Sequence, residues 1–247
     1  MPFSIKIAGA NFTNVVDKTV PYASLMSGFW LFGGDQAQSL KNLAPNAIIP
    51  NASLVGTGVP AYRQGYVEMS FAGDNASAIN SGITLNPTHP FTYIVVADLI
   101  TGGAGLQRGL CGTWHSGITG SDIVQGFSPS TRVGGAFSGG AALLTAPIST
   151  LAAGSIGFAA SSASAAAGPA LYTHDGTGMQ AITGAAVVAP AVNTFRIGPF
   201  GARPSSTSQP ARWAASMLFP SVMTQAQLLE LRDYLKFKLE KRGVVMV

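Results

Sequence analysis

The chain has 247 residues, a formal net charge of +4 and only 10% charged residues, against about 25% in an ordinary soluble domain. Its 47% hydrophobic content can fill a core, which excludes a disordered chain. No basic cluster interleaved with aromatics occurs, which argues against a nucleic-acid partner, and no run of about 18 apolar residues is present to span a membrane.

So few charges leave little to hold the faces of the molecule away from other chains, which points to an assembly component and a homo-oligomer. Thirty glycines and 15 prolines mark a turn-rich fold. Cys111 is the single cysteine, so there is no internal disulfide and no cysteine-based metal site, and a buried structural thiol is expected. No charged stretch followed by an apolar core opens the chain, so no signal peptide is expected. That fits a cytosolic product or a virion part released by lysis.

In chain order, Phe3–Ala8 is a predicted strand with Phe3, Ile5 and Ile7 on one face. Turn residues follow to Tyr22, so residues 1–26 are expected to form an N-terminal strand and docking leader. Gly28–Asp35 is an aromatic strand closed by Gly-Gly, with a polar loop over Ser39–Leu43 and a Pro- and Asn-rich excursion to Pro60. Tyr66–Phe71 reads as a strand. Phe91–Asp98 (FTYIVVAD) is almost continuously apolar, which predicts burial of both faces. Short strands are expected at Gly109–Trp114, Ile123–Phe127, Arg132–Phe137, Gly154–Ala160 and Thr194–Gly198, and Asp175-Gly176 is a hairpin turn pair.

Arg212–Phe219 alternates with period 2, the pattern of a half-buried strand, and Pro220 ends it by removing a backbone donor. Thr224 and Gln227 are spaced as a capping box, with Met223 and Leu228 as its hydrophobic staple. Leu228, Leu231, Leu235 and Leu239 then form one narrow helical stripe. Lysines crowd the last turns, where the helix dipole favours cations, and Gly243 suits the left-handed closing residue. Many short strands with Gly/Pro turns and one late helix predict an all-β fold, an antiparallel β-sandwich (jelly roll) over residues 27–243 ending in a helix at about 224–242. Residues 244–247 follow as an apolar tail.

The order of these pieces resembles the concanavalin A-like jelly roll, in its laminin G-like/pentraxin-like branch. Trp30-Leu-Phe32 with Ser39-Leu-Lys-Asn-Leu43 is similar to the family's opening strand and loop, and Phe91–Ala97 to its central strand. Leu171–Gly176 resembles its hairpin. Phe195–Gly198, Arg212–Phe219 and the capped helix resemble its ending. The Ala/Ser/Gly-rich style and the leader look like those of domains in bacteriophage tail and virion proteins. The resemblance implies a non-enzymatic virion structural or attachment protein (tail, baseplate, collar, fibre or capsid decoration), made in the host cytoplasm. Its implied partners are other virion proteins and host-surface polysaccharide. The alternative is a stand-alone glycan-binding or glycan-degrading jelly roll.

Glycosidases of this superfamily place two carboxylates at alternate strand positions, as acid and nucleophile. Here two of the three glutamates, Glu230 and Glu240, belong to the predicted helix, and Glu68, Asp74, Asp98, Asp122 and Asp175 are each isolated in sequence. No G-x-S-x-G elbow occurs, so no enzyme is expected. Calcium needs six to eight hard oxygen ligands. Asp74 and Asn75 are the best pair for it, although an ordinary turn explains them better, so no cofactor is expected. For a sugar, Trp114 and His115 with Asp122 and Arg132 are the candidate contacts, an aromatic face with hydrogen bonders near it. A core role for Trp114 at its strand's end is the stronger expectation. Leu229 and Phe237 lie off the leucine stripe, and with Val244, Val245, Met246 and Val247 they are candidates for contact with a neighbouring chain, the other reading being that the tail packs back on its own sheet.

Overall fold

A computed structural model of the chain describes residues 19–69, 77–85, 89–98, 109–112, 124–128, 132–137, 142–147, 154–164, 168–184, 193–198 and 211–247. Its strands are β1 (Gly28–Leu31), β2 (Ser53–Val55), β3 (Ala61–Tyr62), β4 (Val67–Met69), β5 (Ala78–Leu85), β6 (Phe91–Asp98), β7 (Gly109–Gly112) and β8 (Val124–Ser128). They continue as β9 (Arg132–Phe137), β10 (Ala142–Pro147), β11 (Ile156–Ser164), β12 (Gly168–His174), β13 (Met179–Thr183), β14 (Asn193–Ile197) and β15 (Ala211–Phe219). The described residues also form two α-helices, α1 (Gln36–Leu40) and α2 (Gln225–Glu240), and a short 3-10 helix at Ala23–Leu25.

The strands form two antiparallel sheets. The first runs β13-β12-β11-β6-β15-β4-β3, with β1 lying beside β15 in line with β4; the second runs β10-β9-β8-β7-β14-β5-β2. This is an all-β sandwich with one long C-terminal helix, as the alternation and turn residues predict.

β6 shows why the first sheet sits in the middle of the molecule. All eight of its residues are buried. Phe91, Tyr93, Val95 and Ala97 enter the core between the sheets, while Ile94 and Val96 enter a second core under α2. The layers are therefore sheet, sheet, helix. The α2 stripe of Leu228, Leu231, Leu235 and Leu239 is buried in that second core. Its capping box is closed at both ends: Thr224 Oγ1 accepts from the Gln227 N–H at 3.3 Å, and Gln227 Oε1 accepts from the Thr224 N–H at 2.8 Å.

β15 departs from its predicted pattern. Instead of being half-buried it is buried on both faces along nearly its whole length. A bulge between Trp213 and Ala215 sets two residues against one step of β6, from Ala97 to Val96. One extra residue reverses which side chains face which way. Trp213 therefore points between the sheets, whereas Ala215, Met217 and Phe219 point under the helix and Leu218 turns back between the sheets.

Smaller corrections have local causes. The polar stretch over Ser39–Leu43 begins inside the one-turn helix α1, because Asp35 Oδ1 accepts from the Gln38 N–H at 2.8 Å and caps it. The strand expected over Tyr66–Phe71 is described only as Val67–Met69. Asp175-Gly176 does not make a two-residue hairpin; the connection runs over Asp175–Gly178, since Asp175 Oδ1 accepts from the N–H groups of both Thr177 and Gly178.

Candidate functional site

Of the side chains expected to meet a sugar, Trp114, His115 and Asp122 lie outside the described residues, as do the calcium candidates Asp74 and Asn75. Arg132 opens β9, paired with Ser128 of β8 and Pro147 of β10. Val124, two residues after Asp122, is at the other end of β8 and pairs with Gly112. Four strand steps, about 13 Å, separate the backbone of Val124 from that of Ser128. Among the described residues no group of three or more His, Cys, Asp or Glu could hold a metal ion. No described helix is long and apolar enough to cross a membrane.

The described residues do converge at one end of the first sheet. Asp98 ends β6, and Arg212 lies one residue beyond the Trp213–Ala97 pair, so the register brings the two charges together at the ends of the two central strands. Arg212 Nη2 lies 3.7 Å from Asp98 Oδ2 and also donates to the Gly154 carbonyl. Its guanidinium carbon stands 5.6 Å from the centre of the Tyr66 ring, within reach of a cation–π contact. Asp98 is buried, and about a third of the Arg212 side chain is exposed. That exposed part opens on a cleft of about 320 Å³ shared with Ser155 and the chain's last residues. Chemically, the cleft offers guanidinium N–H donors, a hydroxyl and an aromatic edge, groups that suit an oxygen-rich ligand. Sequence reading missed this cluster because Asp98 and Arg212 are 114 positions apart. The available signal was a single carboxylate ending an otherwise apolar strand.

The tail helps to wall this cleft. Val244 and Met246 are buried in the core beneath α2, so these two follow the reading in which the tail packs back on its own fold rather than the one in which they meet a neighbouring chain. Met246 bridges in parallel to Ile156, and the Val247 N–H donates to the Ile156 carbonyl at 3.0 Å. The physical reason is a vacancy beside β11. β12 pairs with it only from Phe158 onward, so at Ile156 one edge is open and the tail fills it. Val245 points outward at 77% exposure. Val247, Leu229 and Phe237 are each partly buried, and the Lys241 ammonium sits 4.1 Å from the centre of the Phe237 ring.

Most described carboxylates are engaged in holding the fold. Besides Asp35, Asp98 and Asp175, Glu68 Oε2 accepts from Arg63 Nη2 at 3.2 Å, Glu230 Oε2 from Tyr22 Oη at 2.7 Å and Asp233 Oδ1 from Arg232 Nη1 at 2.9 Å. Cys111 is fully buried, and burial pushes its thiol well up, away from the reactive thiolate.

His174 is buried at the end of β12, and the fold shifts its acidity. Its Nδ1 accepts from the Gly176 N–H at 3.1 Å. Burial, then the charge of Arg232, lowers its pKa, with Lys236 adding to the effect and Asp175 and Asp233 opposing it. The neutral ring is thus favoured in the folded state. Its contribution to stability is full above the ordinary imidazole value of about 6.5 and is lost as pH falls through the lower folded value. Unfolding midpoints in urea measured from pH 7 to pH 5 are expected to fall, and His174→Asn, which keeps an acceptor for Gly176, is expected to flatten that slope.

No family model matches the chain, and no curated protein matches it in sequence. Solved structures do match in shape. The Trypanosoma rangeli sialidase in complex with 2,3-difluorosialic acid, a covalent intermediate, is similar with a TM-score of 0.61 at 12% identity, over 89% of this chain and 34% of that one. Botulinum neurotoxin type C, which interacts with two ganglioside molecules, is similar with a TM-score of 0.58 at 10% identity, over 86% of this chain and 52% of that one. The binding domain of botulinum neurotoxin DC, in complex with rat synaptotagmin II, is similar with the same score, identity and coverage. The chain therefore spans about a third of the sialidase and half of the neurotoxin chains it matches. At these identities the likeness is one of fold, an antiparallel β-sandwich.

Proposed function

We propose that this chain is a non-enzymatic structural and attachment protein of a virion, built on a lectin-like β-sandwich that contacts host-surface glycans. The observation that carries the glycan part is the scale of the likeness. Nearly the whole chain matches a part of larger proteins, one in complex with a sialic acid derivative and one interacting with gangliosides. Engagement of most described carboxylates in ion pairs, caps and turns supports binding without hydrolysis. The low charge of 10% supports a subunit that packs against other chains, and the resemblance to phage tail and virion domains supports the virion as its setting. The Arg212 cleft is the contact offered by the described residues, with Trp114, His115, Asp122 and Arg132 as the second candidate.

A glycan array together with the mass in solution tests this. An oligomer that binds sialylated or other acidic glycans without releasing sugar is the expected result. Arg212→Ala and Trp114→Ala, each first shown to be folded, tell the two candidate contacts apart. A monomer with sugar affinity favours the stand-alone lectin, and a monomer with neither property sinks both readings. The place of the protein in a virion map tests the rest.

A further inference from the structure

At the opposite end of the sandwich the structure leaves a second opening, an apolar one. Leu25 and Ile48, 46% and 92% exposed, face a groove of about 410 Å³ whose other apolar walls are Met26, Ile49, Ile83 and Pro220. None of its lining side chains is charged. Exposed apolar side chains gathered in one concave site mark a place that something covers.

The groove also runs beside a strand that lacks part of its neighbour. β2 pairs only with Ala78, Ile79 and Asn80 of β5, and no strand among the described residues pairs with the remainder of β5 on that side. A bulge with Gly82 at φ 73° turns the strand there. It is satisfied locally, since Asn80 Oδ1 accepts from the Gly82 N–H and Ser81 Oγ from the Ile83 N–H, each at 3.0 Å. Among the described residues, the edge beyond it at Thr84 and Leu85 is open to another extended segment.

We propose that the occupant is the chain's own segment Phe3–Ile7, laid in the groove with Phe3, Ile5 and Ile7 inward and Ser4 and Lys6 toward solvent. The segment lies outside the described residues. Its alternation presents one wholly apolar face to an uncharged trough and its single charge to water. The tether suits it as well. Thr19 stands five positions ahead of Ser24 on the groove wall. Tyr22, between them, is held to α2 through Glu230, on the side of the molecule from which Pro220 leads into the Thr224 cap. Ala8–Lys18 supplies the return, with a reach of about 36–40 Å when extended, and Gly9, Asn11 and Asn14 allow it to reverse. A segment tethered so closely acts at an effective concentration on the order of millimolar, above that of a second copy's segment in dilute solution.

Paired cysteines in the full chain test the proposal, with Cys111 left in place because it is buried. Under mild oxidation Ile5→Cys with Ile48→Cys is expected to cross-link within one chain, about tenfold or more faster than Ile5→Cys with Val59→Cys. Val59 is 90% exposed and follows β2, whose Val55 pairs at the far end of β5. Both partner positions are exposed, so the fold tolerates the changes. Adding Phe3→Ser and Ile7→Ser is expected to abolish the difference. Equal rates for the two pairs overturn the proposal, and so does a cross-link found only between two chains, which would give the groove to a second copy.

Discussion

Replacing Trp213 by alanine is expected to cost about 3–5 kcal/mol of stability, a large share of the roughly 5–15 kcal/mol that holds a typical domain. Two causes act together at this residue. Its side chain is fully buried in the core between the sheets, and its indole N–H donates at 3.1 Å to the Leu110 carbonyl on β7, tying one sheet to the other. Trp213→Phe separates the two. It keeps a ring in the core but loses the tie, and the Leu110 carbonyl still accepts from the Gly198 N–H at 2.8 Å. The hydrogen bond should therefore account for only about 0.5–1.5 kcal/mol. Trp30 is the control: it is equally buried, and its indole N–H has no partner among the described residues. Trp30→Phe is expected to cost less than Trp213→Phe in urea unfolding, and the reverse order would refute the role given to the tie.

Deleting Val244–Val247 is expected to lower stability by roughly 3–5 kcal/mol, the burial of one valine and one methionine side chain. Those side chains, Val244 and Met246, lie in the core beneath α2, and the deletion would reopen the edge of β11 at Ile156. The outward Val245 provides the contrast. Val245→Ser should change stability by no more than about 0.5 kcal/mol, so a change in assembly with that variant, or with Phe237→Ser, would locate a neighbour there. A tail deletion that leaves stability intact but yields a smaller species in solution would overturn the core placement.

Helix α2 was legible because its determinants are local. Thr224 and Gln227 are three residues apart, the leucines fall one turn apart, and the glycine that follows takes a positive φ of 76°. β6 was legible because the seven apolar or weakly polar residues Phe91–Ala97 in a row leave no face for water. β5 was not, since Asn80, Ser81 and Gly82 break its alternation, and their side chains and positive φ build the bulge that turns the strand. The sugar and calcium candidates are residue types that cluster in sequence, whereas the cleft is assembled from Tyr66 just ahead of β4, Gly154–Ile156 at the start of β11, Arg212 of β15 held by Asp98 of β6, and the tail.

Patterns of period 2 and 3.6, turn residues and caps were enough to determine an all-β sandwich with one closing helix, because each depends on neighbours within a few positions. Only the tertiary structure decided that β15 is covered on both faces, that Arg212 meets Asp98, and that Val244 and Met246 turn inward. Each of these depends on register and on a third layer. One bulged residue between Trp213 and Ala215 reverses the facing of everything after it, and composition carries no record of where such a residue falls until strands distant in sequence are paired.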